Sequence, residues 1–181
     1  GKQIGGLQSL VSDAGTGTVG GINSSTYTFW QNAIYDFSTN SVAASAATIQ
    51  DAMNSLYLSI CRNRDRPDLI VADNTYFGYY WKSLQAIQRI TDDKVASAGF
   101  RSLKFMDSDV VFDGGFSGTA PSAHMYFLNT DYIKFCPHRN RNMVPLNPDR
   151  FATNQDALVK LIGWMGNMTV SNRSLQGVIV A

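Results

Sequence analysis

The chain has 181 residues, 44% of them hydrophobic and 16% charged, with a formal net charge of +1. That is enough to bury a core as one domain or two small ones, and near-neutrality gives no electrostatic reason to expect nucleic-acid binding, which usually calls for a strongly basic face. No signal peptide and no twenty-residue apolar span is visible, so the expectation is a soluble chain on the cytosolic side with no membrane partner.

The chain opens at Gly1 without a methionine and in mid-pattern, as a piece of a longer protein would. Leu7, Leu10 and Val11 have helical spacing. Residues 15–20, GTGTVG, match the G-x-G-x-x-G phosphate fingerprint literally. That fingerprint works only between a buried strand and a helix, and neither flank has that character. A flexible glycine linker is expected instead. Ser25 to Phe37 mixes aromatic and β-branched residues and reads as extended or irregular. From Ser41 to Cys61, Ile49, Ala52, Met53, Leu56 and Ile60 recur at three and four residues, predicting an amphipathic helix that ends before Pro67.

Leu69 to Val71 predicts a short buried strand, followed at once by a helix capped by Asn74 or Thr75, with a stripe of Tyr76, Phe77, Tyr80, Trp81, Leu84 and Ile87. Two short strands follow, at Leu103 to Phe105 and Val110 to Phe112, with a turn at Asp107 to Asp109. Met125 to Leu128 and Tyr132 to Cys136 read as a hairpin turning at residues 129–131. The end of the chain supplies one long extended stretch around Leu158 to Val170, a turn at Ser171 to Arg173, and a last strand Val178 to Val180.

No catalytic set emerges. Asp107, Asp109 and Asp113 lie close in sequence, but the spacing lacks a calcium-loop pattern and a polar turn beside a strand explains them better. His124 and His138 have no partner at metal or triad spacing, and Ser117 in GFSGT misses the nucleophile elbow by one residue. Cys61 and Cys136 are far apart and read as buried free thiols. The sequons at Asn23, Asn167 and Asn172 read as accidental without a secretion signal. Tyr76, Phe77, Tyr79, Tyr80 and Trp81 read as core. Two arginine clusters, Arg62, Arg64 and Arg66, then Arg139 and Arg141, have two readings: solvated loop charges, or carboxylate partners across a subunit contact.

Taken in order, GTVGGINSSTYTFWQN, SLYLSICRNRDRPDLIVADNTYF, AHMYFLNTDYIKF and NQDALVKLIGWMGNMTVSNRSLQGVIVA resemble the major capsid proteins of tailed bacteriophages and prophages with the Hong Kong 97-like fold. The resemblance implies an α+β chain with a peripheral domain, built on a spine helix and long strands, and an axial α/β domain. By similarity, residues 1–66 would be peripheral with the spine helix at about 41–61. Residues 67–148 would be axial, 149–175 would carry a long peripheral strand, and 176–181 would return to the axial domain. The family's N-terminal arm and extended loop are not matched here, and GTGTVG would be the joint to that loop.

The implied function is structural rather than enzymatic, with no cofactor and no metal: pentamers and hexamers closing into an icosahedral virion shell around DNA, assembled in the bacterial cytoplasm. The implied partners are the chain itself, scaffold or portal proteins, and DNA held without sequence-specific contact; Arg62, Arg64, Arg66, Arg139 and Arg141 would be contact residues. Two rivals are an encapsulin-like nanocompartment shell protein and a small α/β domain binding a ligand or metal at the Asp107 to Asp113 edge.

Overall fold

The computed structural model describes residues 4–86, 103–114, 120–151 and 158–181. It begins with a single helical turn, α1 (Leu7–Leu10), and a miniature hairpin of β1 (Thr18–Val19) and β2 (Ile22–Asn23). A 3-10 turn at Thr28–Trp30 leads into β3 (Ala33–Asp36). Then come α2 (Ile49–Ile60), β4 (Leu69–Ala72), α3 (Asn74–Ser83), β5 (Leu103–Phe105), β6 (Ser108–Phe112) and β7 (Met125–Leu128). The last strands are β8 (Ile133–Pro137), β9 (Val144–Phe151), β10 (Leu158–Gly163), β11 (Gly166–Val170) and β12 (Gly177–Val180).

Six of these strands form one sheet in the order β3-β12-β7-β4-β6-β5. The last strand lies inside it: β12 runs parallel to β3 and antiparallel to β7. Every residue of β7 and β12 is buried, so both faces of the sheet centre are covered. On one face α2 crosses β3 and β12 while α3 crosses β4 and β6. That layer packs Met53, Leu56, Ile60, Tyr76 and Tyr80 against Ile70, Val110, Phe127 and Ile179. On the other face Leu10 and Val11 cover Tyr126, Leu128, Val178 and Val180, with Ile133, Met168 and Val170 beside them.

The remaining long strands form a two-stranded ribbon. β8 pairs with β11 and β9 with β10, both antiparallel. His138 N–H donates to Met165 O and Met165 N–H to Arg141 O, each at 2.8 Å, which joins the two halves around a bulge at residues 139 and 140. A second irregularity sets residues 147–149 opposite Lys160. Pro148 falls within it, as expected of a residue with no N–H to give to a ladder.

Several expectations need correction. The helix starts at Ile49, not Ser41: the one large apolar side chain of residues 41–48, Val42, is exposed, and Thr48 closes a local turn by accepting from Ser45 N–H and donating to Ala43 O. α3 is capped by Asp73, whose carboxylate accepts from Tyr76 N–H at 2.9 Å and Ala123 N–H at 2.8 Å, not by Asn74 or Thr75. The turn between β5 and β6 sits one residue early, with Met106 at φ 50°. β7 and β8 are strands but not a hairpin. A 3-10 turn at Thr130–Tyr132 sends β8 away to pair with β11, while β7 is claimed on both sides by β4 and β12. The stretch from Leu158 to Val170 is broken at Trp164 and Met165. The last turn is a 3-10 turn at Arg173–Leu175, just after the expected position.

GTGTVG is not a flexible linker. Gly20 and Gly21 take positive φ in the β1–β2 turn, and the buried Ser24 hydroxyl lies 3.3 Å from Gly15 O and 3.0 Å from Gly17 O, sharing its proton between them. Cys136 is exposed and Cys61 half-buried, because β8 has left the sheet by Cys136. The expected boundaries at 66/67 and 148/149 do not mark a change of core. α2 and β3 share the core of β4, β6 and β7, and the ribbon straddles residue 148. Ile87 and Ser117 lie outside the described residues.

Two expected outcomes follow from the core. A Cβ on Gly177 would meet Leu56 at 3.1–3.2 Å, and Leu56 is itself buried. Gly177→Val is expected to cost about 1–3 kcal/mol by overpacking, read from the urea midpoint. Burial pushes the phenols of Tyr76, Tyr80 and Tyr126 up to about 12 from 10.0. Their native pKa exceeds the unfolded value, so the stability they confer is intact below pH 10 and falls as pH rises toward 12. Ultraviolet titration should show these phenolates forming together with loss of the fold rather than before it.

Candidate functional site

The acidic edge is dispersed. Asp107 pairs with Arg66 at 2.6 Å, Asp109 with Lys104 at 2.5 Å, and Asp113 accepts from Ala120 N–H at 3.1 Å. Each carboxylate faces a different partner, so no shared cation position exists between them. Among the described residues no group of three or more His, Cys, Asp or Glu could hold a metal ion. His124 lies 3.2 Å from Asp13 through Nε2, and His138 accepts from Asn140 N–H through Nδ1 at 3.2 Å. The two sit on different elements, and neither ring is hydrogen-bonded to a Ser, Thr or Cys side chain among the described residues.

Two concavities adjoin α3. A groove of about 420 Å³ is lined by Phe77, Gly78, Trp81, Lys82, Gln85 and Phe112 and is mostly apolar. Phe77 and Phe112 pack at 5.3 Å there. The expected core role of the aromatic run therefore holds for Tyr76 and Tyr80, whereas Phe77 and Trp81 are only partly covered. At the head of α3 a cleft of about 280 Å³ presents Asp73 and Asp113. Both accept from backbone N–H groups, Asp73 as the helix cap and Asp113 from Ala120.

The arginines fall on two elements. Arg62, Arg64 and Arg66 follow the end of α2 and are exposed, Arg66 being engaged by Asp107. Arg139 and Arg141 are exposed on the ribbon bulge, 141 fixed through its backbone to His138 and Met165.

The arginine that the sequence reading passed over is Arg173. It is fully buried and has no carboxylate partner among the described residues. Its Nε donates to Leu10 O at 2.7 Å, and Nη1 reaches Ser24 Oγ at 3.2 Å and Trp30 O at 3.4 Å. Burial lowers its pKa from the ordinary guanidinium value. The rigid fork of a guanidinium is preorganised to serve acceptors from three segments at once, where an ammonium is a single point on a flexible stem. Asn172 caps the 3-10 turn that carries it by accepting from Ser174 N–H at 3.2 Å. The only sequence signal was position: a lone arginine just before an all-apolar strand.

What the molecule offers is therefore a packed sheet body, a projecting ribbon and no reactive pocket among the described residues. No family model matches the sequence, and no curated protein does. Among solved structures it is similar to a chain of the cyanophage A-1(L) capsid asymmetric unit, with TM-score 0.66 and 15% identity over 98% of this chain. The match spans 58% of that chain. At this identity the likeness shows a phage-capsid type of fold. No described helix is long and apolar enough to cross a membrane.

Arg173→Met keeps the bulk but strips the donors from Leu10 O and Trp30 O. It is expected to cost about 1–3 kcal/mol. Limited proteolysis should at the same time cut faster within residues 11–30, because the segment those bonds hold would release first. Arg173→Lys should restore only part of both effects.

Proposed function

We propose that the chain is the shell-forming portion of a major capsid protein of a tailed phage or prophage with the Hong Kong 97-like fold. One observation carries this reading: a capsid subunit fold superposes on 98% of the chain at TM-score 0.66. The site geometry supports it indirectly. A shell subunit works through shape and repeated surfaces, since identical copies related by rotation close into rings, and this molecule commits its buried polar groups to holding segments together.

On this reading the sheet body corresponds to the axial part and the ribbon to the long peripheral strands. Subunits join as pentamers and hexamers, enclose DNA without base-specific contact, and assemble in the host cytoplasm into the virion. Scaffold and portal proteins are the implied partners. Arg62, Arg64, Arg139 and Arg141 remain the contact candidates. Arg66 is less available than the others because Asp107 already engages it.

Sedimentation velocity and negative-stain microscopy on the protein expressed from its complete reading frame test the proposal. Five- and six-membered rings or closed shells are the expected result. A species that stays monomeric over a wide range of concentration and salt would remove the shell reading.

A further inference from the structure

The described residues include thirteen exposed large hydrophobics, and six of them, Phe135, Met143, Val144, Leu161, Ile162 and Met165, lie on the ribbon. Ile162 is 67% exposed and Phe135 56%. This concentration is not what scattered surface apolar residues look like. At the ribbon base, Ile133, Met168 and Val170 pack against the second core. Beyond them exposed apolar positions continue as a band on both faces of the ribbon, Leu161 and Ile162 being on opposite sides, with no further layer over them among the described residues. A two-stranded ribbon is marginal in water without a further layer.

The band also holds a rigid element. The rings of Phe135 and Trp164 stack at 5.6 Å and 13°. Gly166 makes room for this: a Cβ there would stand 2.7 Å from Trp164 Cζ2. Flat aromatic platforms that lose little side-chain entropy on contact are typical interface anchors.

Charge separates the ribbon from the body. Residues 133–170 carry five cations, Lys134, Arg139, Arg141, Arg150 and Lys160, against two aspartates, net +3. The other 143 residues carry ten cations against twelve aspartates, net −2. Lys134, Arg139 and Arg141 are exposed. Two regions of one chain thus have opposite sign, and contact between a patch and a different patch on an identical copy is what a head-to-tail ring interface requires.

We propose that the apolar, basic ribbon docks on the acidic sheet body of a second copy of this chain. The proposal rests on the shell reading and names the surface through which it works. Pro137, Pro145 and Pro148 remove N–H donors from the β8–β9 side of the ribbon, so on that side the contact is made by side chains and not by adding a strand.

The test uses a mixture of isotopically heavy and light protein, cross-linked with a carbodiimide that joins a lysine amine directly to an aspartate carboxyl with loss of water. The expected result is heavy–light peptides linking Lys134 to an aspartate outside residues 133–170. In parallel, sedimentation velocity is run on the unaltered chain, Ile162→Asp, Phe135→Asp and Arg139→Asp/Arg141→Asp. Because these side chains are exposed, melting temperatures should stay close to that of the unaltered chain while self-association weakens about tenfold or more. Raising salt from about 50 to about 500 mM should weaken the unaltered chain's association by a smaller factor, since screening removes only the charged part.

Self-association that is unchanged in all three variants, with heavy–light links elsewhere, overturns this interface and leaves the shell reading standing. An unaltered chain that never associates overturns both. Salt-sensitive DNA retention lost in Arg139→Asp/Arg141→Asp, without any heavy–light link, would instead assign the basic ribbon to nucleic acid and overturn the proposal.

Discussion

The pairing of β12 on both of its edges is the constraint on which the rest depends. Its four residues are the last strand of the chain, yet they join β3, from the first forty residues, to β7 and through it to β4, β6 and β5. Without β12 the sheet would be two separate pieces, β3 alone and a four-stranded remainder. Both faces of β12 are buried, Ile179 under the helices and Val178 and Val180 under the N-terminal cover. Gly177 is where α2 comes nearest, and the missing side chain lets Leu56 sit directly on the strand. A core closed by its last strand is dominated by contacts distant in sequence, which makes folding slow relative to a helical bundle of the same length.

The five residues ahead of β12 fix it in place with polar groups. Asn172 caps the short turn, Arg173 ties down Leu10, Ser24 and Trp30, and Gln176 binds the backbone of Asn129 in both directions. The Gln176 amide donates to Asn129 O at 3.2 Å and accepts from Asn129 N–H at 2.9 Å. It thereby extends the β12–β7 ladder with a side chain where the backbones part. Arg173 and Gln176 are fully buried and hydrogen-bonded, Arg173 through Nε and Nη1 while Nη2 has no partner among the described residues, so the bonds they make hold one arrangement in place. The N-terminal segment has only one helical turn and a four-residue hairpin. Arg173 adds polar anchors to the apolar contacts that Leu7, Leu10, Val11 and Val19 make with the second core.

Much of the body was legible in the sequence because its signals are local. The i, i+3, i+4 stripe of α2 and the Leu-Ile-Val run leading into α3 describe themselves. The pairing of strands was not legible. Met125–Leu128 and Ile133–Pro137 have the length, composition and spacing of a hairpin, and nothing near them in sequence says that β7 will be taken by β4 and β12. Glycines misled for a related reason: Gly15 to Gly21 looked like a linker, but their positive φ values serve a turn held from outside by Ser24 and Arg173. The contact candidates were chosen by residue type alone. Arg66 proved to have a partner within the chain, and Arg173, the arginine with the largest structural role, lacked any cluster to draw attention to it.

The two parts of the molecule are covered in opposite ways. The sheet body is closed, with apolar layers on both faces, and gains nothing further from a neighbour at its centre. The ribbon is the reverse: its strands pair along most of their described length, but among the described residues its side chains have a second layer only at the base. An extended element of this kind can keep its shape in the free subunit through backbone pairing and the anchored base, and still hold its apolar surface in reserve. Two bulges, at residues 139–140 and 147–149, add local twist along its length. The twist is confined to the ribbon and leaves the core that β12 closes unchanged.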